Sequence, residues 1–377
     1  MTFKPEYICL LELIKASLFQ TVPQIPSNVN WDIVFELAKK QCIVPLIEPF
    51  VPDSYRDSWT RISIQNKAHY IQLIYEQNEL IQLFENNNIP IVILKGTSVS
   101  RYYPNPSLRS MGDIDFYILK DFFPHAESLM IKNNYRFINS TDRHNIYTKN
   151  GIEFEMHFRY SCQYYNNIDS YLIESMKTLD IYSINGYNFY SFPVNENGLI
   201  LLGHLMQHLS GSGLGFRQIL DWMMFVNHAL DDDLWNNSFK KIASDSGLEK
   251  LAITTTKLCQ NYLGLKNDIS WCNDADDKLS EQLLERVFID GNFGVERSIF
   301  EDINKRMKVE GKFHYLQKAG LYNWNAAKKY KFLKPFAWFY QLTRYTVKTF
   351  SYLFNRKRLF SKEKSSSNLG ELIKNLK

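Results

Sequence analysis

The chain has few cysteines and no long uninterrupted hydrophobic run. Its five cysteines, among 377 residues, are an odd number without close spacing, which favours a reducing compartment. No run reaches the ~18 apolar residues that a membrane-spanning helix needs. No cleavable apolar leader follows Met1. We therefore predict a cytoplasmic protein that does not cross a membrane.

Internal repeats are also lacking, and low-complexity sequence is limited to residues 365–367. The chain nevertheless has the material for a real core, since 45% of its residues are hydrophobic and only 22% are charged. A length of 377 residues exceeds the size at which single cores stop growing. We therefore expect two or three packed units.

The net charge of +4 is unevenly distributed. Residues 328–364 contain eleven Lys or Arg against one acid, Glu363, so this segment carries +10 and the remainder −6. A charged block of this kind indicates surface partners and gives no information on the fold. It is a candidate contact for an anionic membrane surface at the inner face of the membrane. The alternatives are docking on the body of the protein, favoured by the helical spacing of Trp338, Leu342 and Tyr345, and nucleic-acid binding.

Helical periodicity dominates the first ninety residues. Apolar spacings of three and four predict a helix over residues 31–46. A second helix over residues 68–84 is predicted to end before Pro90. Helical periodicity returns after Asn195, which is a predicted N-cap. The pattern therefore predicts helical regions on both sides of a central β segment.

The central segment has the periodicity of strands. Residues 91–94 form a short apolar run, and residues 113–119 alternate between apolar and polar side chains. A helix over residues 122–132 follows. Because Asn-Gly pairs tolerate positive φ, Asn150-Gly151 and Asn185-Gly186 each predict a hairpin between the short strands that flank them.

Acidic side chains lie on one face of two predicted strands. Asp113 and Asp115 share a face because side chains alternate along a strand, and so do Glu153, Glu155 and His157. If the strands are neighbours, the carboxylates converge. Three carboxylates around one or two Mg²⁺ ions are suited to phosphoryl transfer. Glu155 is the predicted third metal ligand, and Glu153 is the alternative.

A polyphosphate needs donors and cations beside those carboxylates. Lys95, Gly96, Thr97 and Ser98 follow the strand that precedes the aspartates, and Gly96 would let the backbone approach a phosphate closely. Arg109, four residues before Asp113, is placed to reach a triphosphate. These residues are the predicted nucleotide-binding set.

The helical region contributes further candidates for the lining of the cleft. His204 and His208 have the spacing of a two-histidine zinc site, but no carboxylate or cysteine completes the set nearby, so packed histidines are favoured. His157 is placed to orient a carboxylate or to touch the substrate, and packing beside its strand is the alternative. Arg217 and Asp221 are interpreted as an ion pair within one helix, and a role in holding the cleft together is the alternative.

These motifs resemble a bacterial family of largely uncharacterised nucleotidyltransferases within the DNA polymerase beta-like superfamily. The resemblance covers roughly residues 8–230. His208 and the Arg217 to Asp221 pattern also fit the family, and Glu155-Met156-His157 stands where it usually has Asp-Leu-His. The four motifs that carry the resemblance are, in order, Leu94-Lys95-Gly96, Tyr102-Tyr103-Pro104, Leu108-Arg109 and Gly112-Asp113-Ile114-Asp115.

The resemblance implies an Mg²⁺-dependent transfer of a nucleoside monophosphate from an NTP, by default ATP, to an unknown hydroxyl acceptor. Two Mg²⁺ ions and release of pyrophosphate are implied as well. The chain departs from the superfamily at Lys95-Gly96-Thr97, where Gly-Gly or Gly-Ser is usual, and at Glu155, where Asp is usual. These departures keep open a non-catalytic nucleotide-binding or protein-interaction module of the same fold. A membrane-surface accessory of polysaccharide assembly is a further alternative.

The predicted fold class is α+β, with a small mixed sheet of the nucleotidyltransferase type, flanking helices, and helical regions at both ends. The predicted domains are an N-terminal helical region, a nucleotidyltransferase core, a helical domain and a basic aromatic segment, at residues 1–88, 89–194, 195–327 and 328–377.

Overall fold

The computed structural model describes residues 3–292 apart from 163, 164, 166, 212 and 267, residues 312–354 apart from 325, 328 and 329, and residues 369–377. The chain divides into two compact units, one formed by Met1–Val295 with Ser367–Lys377 and the other by Glu296–Ser366. The finer domain boundaries drawn from the sequence stay predictions.

The larger unit contains a mixed β-sheet and a separate hairpin. Its strands are β1 (Val92–Ile93), β2 (Asp113–Tyr117), β3 (Arg136–Ser140), β4 (His144–Lys149), β5 (Ile152–His157), β6 (Asp180–Ile184) and β7 (Tyr187–Ser191). The first five form one sheet in the order β1-β2-β5-β4-β3, and β6 pairs with β7. β2 runs parallel to β5, while the other neighbours are antiparallel. The predicted small mixed sheet with flanking helices is confirmed.

Helices precede, separate and follow the strands along the sequence. They are α1 (Pro5–Phe19), α2 (Trp31–Lys40), α3 (Val44–Ile47), α4 (Arg56–Glu85), α5 (Gly96–Ser100), α6 (Phe123–Lys132), α7 (Ile168–Ser175), α8 (Val194–Ser210), α9 (Phe216–Ala229), α10 (Asp232–Leu234), α11 (Lys240–Asp245), α12 (Glu249–Leu263) and α13 (Asp277–Asp290). A π-helical turn (Trp235–Phe239) joins α10 to α11, and Leu369–Asn375 forms a last helix.

The two predicted hairpin turns are confirmed. Asn150 and Gly151 have φ values of 51° and 81°, and Asn185 and Gly186 have 53° and 83°. Positive φ at both central residues is the conformation that twists the chain in the sense of the flanking strands. The turn at Asn150 fixes the register of β4 against β5, and this register positions the candidate site.

The two faces of β2 have different partners. Ile114 and Phe116 belong to a buried apolar cluster with Phe84 of α4 and Met130 of α6. Asp113 and Asp115 lie on the opposite face because side chains alternate along the strand. One face of β2 is therefore packed in the apolar core, and the other carries the acidic side chains.

Several predicted elements differ in detail. The predicted helix over residues 31–46 is divided into α2 and α3, because Cys42 adopts a left-handed φ of 56° between them. The helix expected at residues 68–84 is part of the longer α4. Asn195 is not an N-cap, since α8 begins at Val194 after Pro193. Strand β3 was not predicted, because all its residues are exposed and show no apolar alternation.

The smaller unit consists, in its described part, of helices Lys312–Asn323 and Ala337–Phe354 with a 3₁₀ segment, Lys331–Phe336. Trp324 stacks on Tyr340, with ring centroids 5.0 Å apart. Of the basic segment, residues 328, 329 and 355–364 lie outside the described residues. Among the helices that the structure describes, none is long and apolar enough to cross a bilayer.

Candidate active site

The acidic residues of β2 and β5 stand side by side. The parallel register pairs Asp113 with Glu153 and Asp115 with Glu155. One oxygen from each of Asp113, Asp115 and Glu155 lies within 4.8 Å of the other two. Glu153 is exposed and is not part of this group. The spacing brings together the three carboxylates that the sequence nominated as metal ligands.

Lys95 places a cation inside this acidic group. The residue follows β1 with φ 40° and ψ −127°, a strained backbone for a side chain other than glycine. Its Nζ lies 2.8 Å from Asp115 Oδ1, and both side chains are buried. Burial alone would lower the pKa of Lys95, but the nearby Asp115, Glu155 and Asp113 raise it. The ammonium therefore stays charged and neutralises part of the acidic group.

His157 bridges two of the carboxylates. Its Nε2 lies 2.9 Å from Asp115 Oδ1 and 3.2 Å from Glu155 Oε2. Burial disfavours the imidazolium, but the hydrogen bonds to Asp115 and Glu155 outweigh burial and raise the pKa of His157. In return, Lys95 and His157 hold the pKa of Asp115 well below its usual value against the effect of burial. Of the sequence interpretations of His157, the structure favours orientation of carboxylates.

Asp113 is the least compensated acid of the group. Lys95 and His157 make their close contacts to Asp115 and not to Asp113. Burial, together with repulsion from Asp115, raises the pKa of Asp113 to about 6. Three carboxylates held together with this deficit of positive charge are unfavourable without an added cation.

His144 joins the site although the sequence analysis did not single it out. It begins β4 and faces His157 on β5, with ring centroids 4.7 Å apart. Burial and the neighbouring His157 lower the pKa of His144 to about 4, so the ring is neutral at pH 7. The Asn150-Gly151 turn carried the signal that could have found it. Counting outward from a two-residue turn pairs residue 144 with residue 157.

Arg109 lies in a closed ion pair. Its Nε donates to Asp221 Oδ1 at 2.7 Å and its Nη2 donates to Asp221 Oδ2 at 2.6 Å, while the Tyr103 hydroxyl donates to Oδ1 at 2.9 Å. The interpretation of Arg217 and Asp221 as an intrahelical pair is therefore wrong, because Asp221 reaches across from α9 to Arg109. Arg109 as a phosphate ligand stays a prediction, with its guanidinium already committed to Asp221.

The hydroxyl groups after Gly96 are used inside the protein. Thr97 Oγ1 donates to Gln77 Oε1 at 2.6 Å, and Ser98 Oγ lies 2.7 Å from Ser191 Oγ. Both side chains are buried. Any contact of Thr97 or Ser98 with a nucleotide would therefore fall to their backbone groups. Gly96 itself has a φ of 21°, which a side chain rarely adopts.

Arg217, unlike Arg109, has a guanidinium that could bind an anionic ligand. Its Nε is buried without a hydrogen-bond partner, and no ion pair of Arg217 occurs among the described residues. Its charge is one of several that affect the pKa values of Asp113 and His208, which places it near the acidic group. A half-buried guanidinium whose Nε lacks a hydrogen-bond partner is suited to an anionic ligand.

His204 and His208 contact each other on α8. Their Nε2 atoms are 2.9 Å apart, and His208 Nδ1 lies 3.0 Å from the Gly213 carbonyl oxygen. Burial lowers both pKa values, to about 4 for His208, so both rings are neutral. Neither belongs to a group of three possible metal ligands within the described part of the chain.

Comparison with known proteins agrees with this geometry. The family described as "Uncharacterised nucleotidyltransferase" matches residues 27–264. No curated protein matches the chain. Among solved structures, an antigenic nucleotidyltransferase-like protein from Paracoccidioides brasiliensis is similar, with 16% identity over 50% of this chain and 90% of that one. The TM-score of this comparison is 0.32.

Proposed function

Because this chain belongs to the family of uncharacterised nucleotidyltransferases, we propose that it transfers a nucleoside monophosphate from a nucleoside triphosphate to a hydroxyl acceptor. The observation that carries the proposal is that one carboxylate oxygen from each of Asp113, Asp115 and Glu155, on the neighbouring strands β2 and β5, lies within 4.8 Å of the other two. ATP is the default donor because of its abundance.

The site fits divalent cations. Its candidate ligands are carboxylate oxygens, which Mg²⁺ prefers, and the raised pKa of Asp113 marks a deficit of positive charge that a cation would remove. Asp113, Asp115 and Glu155 would hold one or two ions. Bound Mg²⁺ would stabilise the negative charge that develops on the phosphate oxygens and on the attacking and leaving oxygens.

Glu155 is the proposed base. Burial raises the pKa of Glu155, but the hydrogen bond from His157 and the charge of Lys95 lower it overall, so the carboxylate is ionised and can accept a proton. The acceptor oxygen forms a bond to the α-phosphorus while the bond from that phosphorus to the bridging oxygen breaks. Pyrophosphate leaves, and the hydroxyl proton passes to Glu155.

The triphosphate is assigned to Lys95, Gly96 and Arg217. The charges of Lys95 and Arg217 both lower the pKa of Asp113, and the backbone at Gly96 carries no side chain to obstruct a phosphate. Arg217 replaces Arg109 in this role, because Arg109 is held on both sides by Asp221. A guanidinium without a partner can meet a phosphate without first breaking an internal pair.

Calorimetric titration with ATP and Mg²⁺ tests the proposal. We expect binding to wild type and strongly reduced binding to Asp113→Asn and Asp115→Asn. The exposed Asp121, six residues after Asp115, supplies the control, and Asp121→Asn should bind like wild type. Equal binding by all four proteins would contradict the proposal. Glu153→Gln should also bind normally if Glu155 and not Glu153 is the third ligand.

Incubation with labelled nucleotides, Mg²⁺ and a cell extract separates an enzyme from a binding module. A transferase yields a labelled product that Asp115→Asn does not yield. Nucleotide binding without product under any divalent metal would instead support the non-catalytic module. The departures at Lys95 and Glu155 motivate this comparison, since a misplacement of ~1 Å can cost roughly 100-fold in rate.

Peripheral contact with an anionic membrane is a second candidate, and exposed aromatic side chains in the smaller unit favour it. Phe332, Phe336 and Phe339 are 70%, 58% and 56% exposed. Lys331 and Lys334 lie beside them and are also exposed. Aromatic rings flanked by lysines suit the interface of an anionic bilayer. Flotation with phosphatidylserine vesicles, compared with neutral vesicles and with Phe332→Ser/Phe336→Ser, tests this contact.

A further inference from the structure

His144 is a buried imidazole whose ring nitrogens form no hydrogen bond with any residue that the structure describes. The side chain belongs to a residue only 9% exposed, and its Nδ1 has no partner among the described residues. Its Nε2 lies 3.9 Å from Glu155 Oε2, too far for a direct hydrogen bond. The ring atom nearer to Glu155 is Nε2, and among the described residues no protein atom forms a hydrogen bond with it, so Nε2 can bind a ligand placed between the two side chains.

The surroundings of His144 have the dimensions of a metal site. One ligand atom from each of His144, Glu155 and His157 lies within 4.8 Å of the other two. His157 Nε2 is 3.2 Å from Glu155 Oε2, and His144 Nε2 is 3.9 Å from the same oxygen. Ligands bound tetrahedrally to zinc at about 2.0–2.1 Å are about 3.3–3.5 Å from each other. The observed separations lie on either side of that value, so small side-chain rotations would complete the site.

The chemistry of this group differs from that of the neighbouring carboxylates. Asp113 and Asp115 offer only oxygen, which suits Mg²⁺, whereas two imidazoles and one carboxylate suit Zn²⁺ and related first-row transition ions. We propose that His144, Glu155 and His157 form a second, transition-metal site that shares Glu155 with the magnesium site. An open fourth position would remain for water or substrate, because the chain provides three ligands.

Occupation of this site would alter its neighbour. His157 Nε2 now lies 2.9 Å from Asp115 Oδ1, and the same nitrogen cannot donate a proton to Asp115 and bind an ion. A bound transition ion would therefore remove that hydrogen bond and the charge of the imidazolium from Asp115. The two sites would be coupled through His157 and Glu155.

The test is a zinc titration of the full-length protein after removal of metals, in excess Mg²⁺ and against a chromophoric chelator. We expect one Zn²⁺ per chain in wild type. His144→Gln should weaken binding by more than the roughly 10- to 100-fold that loss of an outer partner of a metal ligand causes. His125→Gln, at an exposed histidine of α6, is the matched control and should bind Zn²⁺ like wild type. Equal zinc affinity in His144→Gln and wild type would overturn the proposal.

Two further measurements separate this site from the proposed function and from misfolding. Asp113→Asn should lose binding of ATP with Mg²⁺ but keep Zn²⁺, since Asp113 is not in the histidine group. Failure of the transferase proposal would therefore leave the zinc result standing. Substitution with Co²⁺ should give a visible spectrum of nitrogen-ligated cobalt that both His144→Gln and His157→Gln change. A spectrum identical in all three proteins would show solvent or oxygen ligation only, which contradicts the site.

Discussion

Two groups of buried charges in the larger unit are built in opposite ways. Around Asp221, one carboxylate meets one guanidinium in two parallel hydrogen bonds, and the Tyr103 hydroxyl donates a third. Around Asp115, three carboxylates share Lys95 and His157, and the third acid, Asp113, has a pKa raised to about 6. The first group is complete in itself, whereas the second has a deficit of positive charge. The comparison separates a closed ion pair from a group of carboxylates for which we propose a bound cation.

The largest effect is expected from removing charge in the incomplete group. Asp115→Asn should lower the transfer rate by about 10³- to 10⁴-fold, since metal stabilisation of the transition state amounts to several kcal/mol and each ~1.4 kcal/mol is tenfold. Rate measurements with saturating ATP and Mg²⁺ check this. Retention of more than a tenth of the wild-type rate would remove Asp115 from the metal site.

Opening the complete group should affect stability instead. Asp221→Ala leaves the buried Arg109 without its carboxylate, and breaking a buried pair costs about 3 to 5 kcal/mol. Denaturant unfolding of the metal-free protein measures this loss. The double variant Arg109→Met/Asp221→Leu should recover most of it, because no unpaired charge remains. A double variant as unstable as Asp221→Ala would argue for a role of Arg109 beyond the pair.

Asp113→Asn should stabilise the metal-free protein at pH 7. The pKa of Asp113 is raised from 3.8 to about 6, and about 1.4 kcal/mol per unit gives about 3 kcal/mol. The folded state holds the proton of Asp113 more tightly than the unfolded state does. The stabilisation by protonated Asp113 is therefore fully present below about pH 4 and is lost as the pH rises through about 6. The variant should therefore exceed wild type in unfolding free energy at pH 7 and match it near pH 4. A variant less stable than wild type at pH 7 in EDTA would refute the assignment.

The smallest effect concerns Arg217. Arg217→Ala should weaken ATP binding by about 10- to 100-fold, because a hydrogen bond to a charged group contributes about 1.5 to 3 kcal/mol. The unfolding free energy of the variant should change little, because the Nε of Arg217 makes no hydrogen bond that the substitution would remove. Lys250→Ala, at an exposed lysine of α12, is the control. Unchanged ATP affinity in Arg217→Ala would remove Arg217 from the proposed phosphate site and leave Lys95 as its cation.

The sequence predicted local features of the site well because they depend on short-range rules. Alternation along a strand put Asp113 and Asp115 on one face, and the Asn150-Gly151 turn predicted the β4–β5 hairpin. The same turn also fixes the position of His144 opposite His157. Strand β3 escaped prediction because its exposed side chains carry no apolar pattern.

The pairing of distant charges could not be predicted. Arg217 and Asp221 are one helical turn apart and looked like partners, yet Asp221 pairs with Arg109, 112 residues away along the chain. Sequence spacing gives neighbours on one helix, but it gives no information on which helix lies against which loop. The partner of Asp221 was therefore assigned wrongly, while the phosphate role of Arg109 stays a prediction.

The sequence by itself determined the strand and turn periodicities, the position of the acids on one face of β2, and the family to which they point, since each depends on residues close together in the chain. Only the tertiary structure decided that β2 runs parallel to β5, that Lys95 enters the acidic group, and that Asp221 pairs with Arg109. The reason is physical. Packing of apolar faces determines which elements become neighbours, and charges then pair with whatever that packing brings within reach.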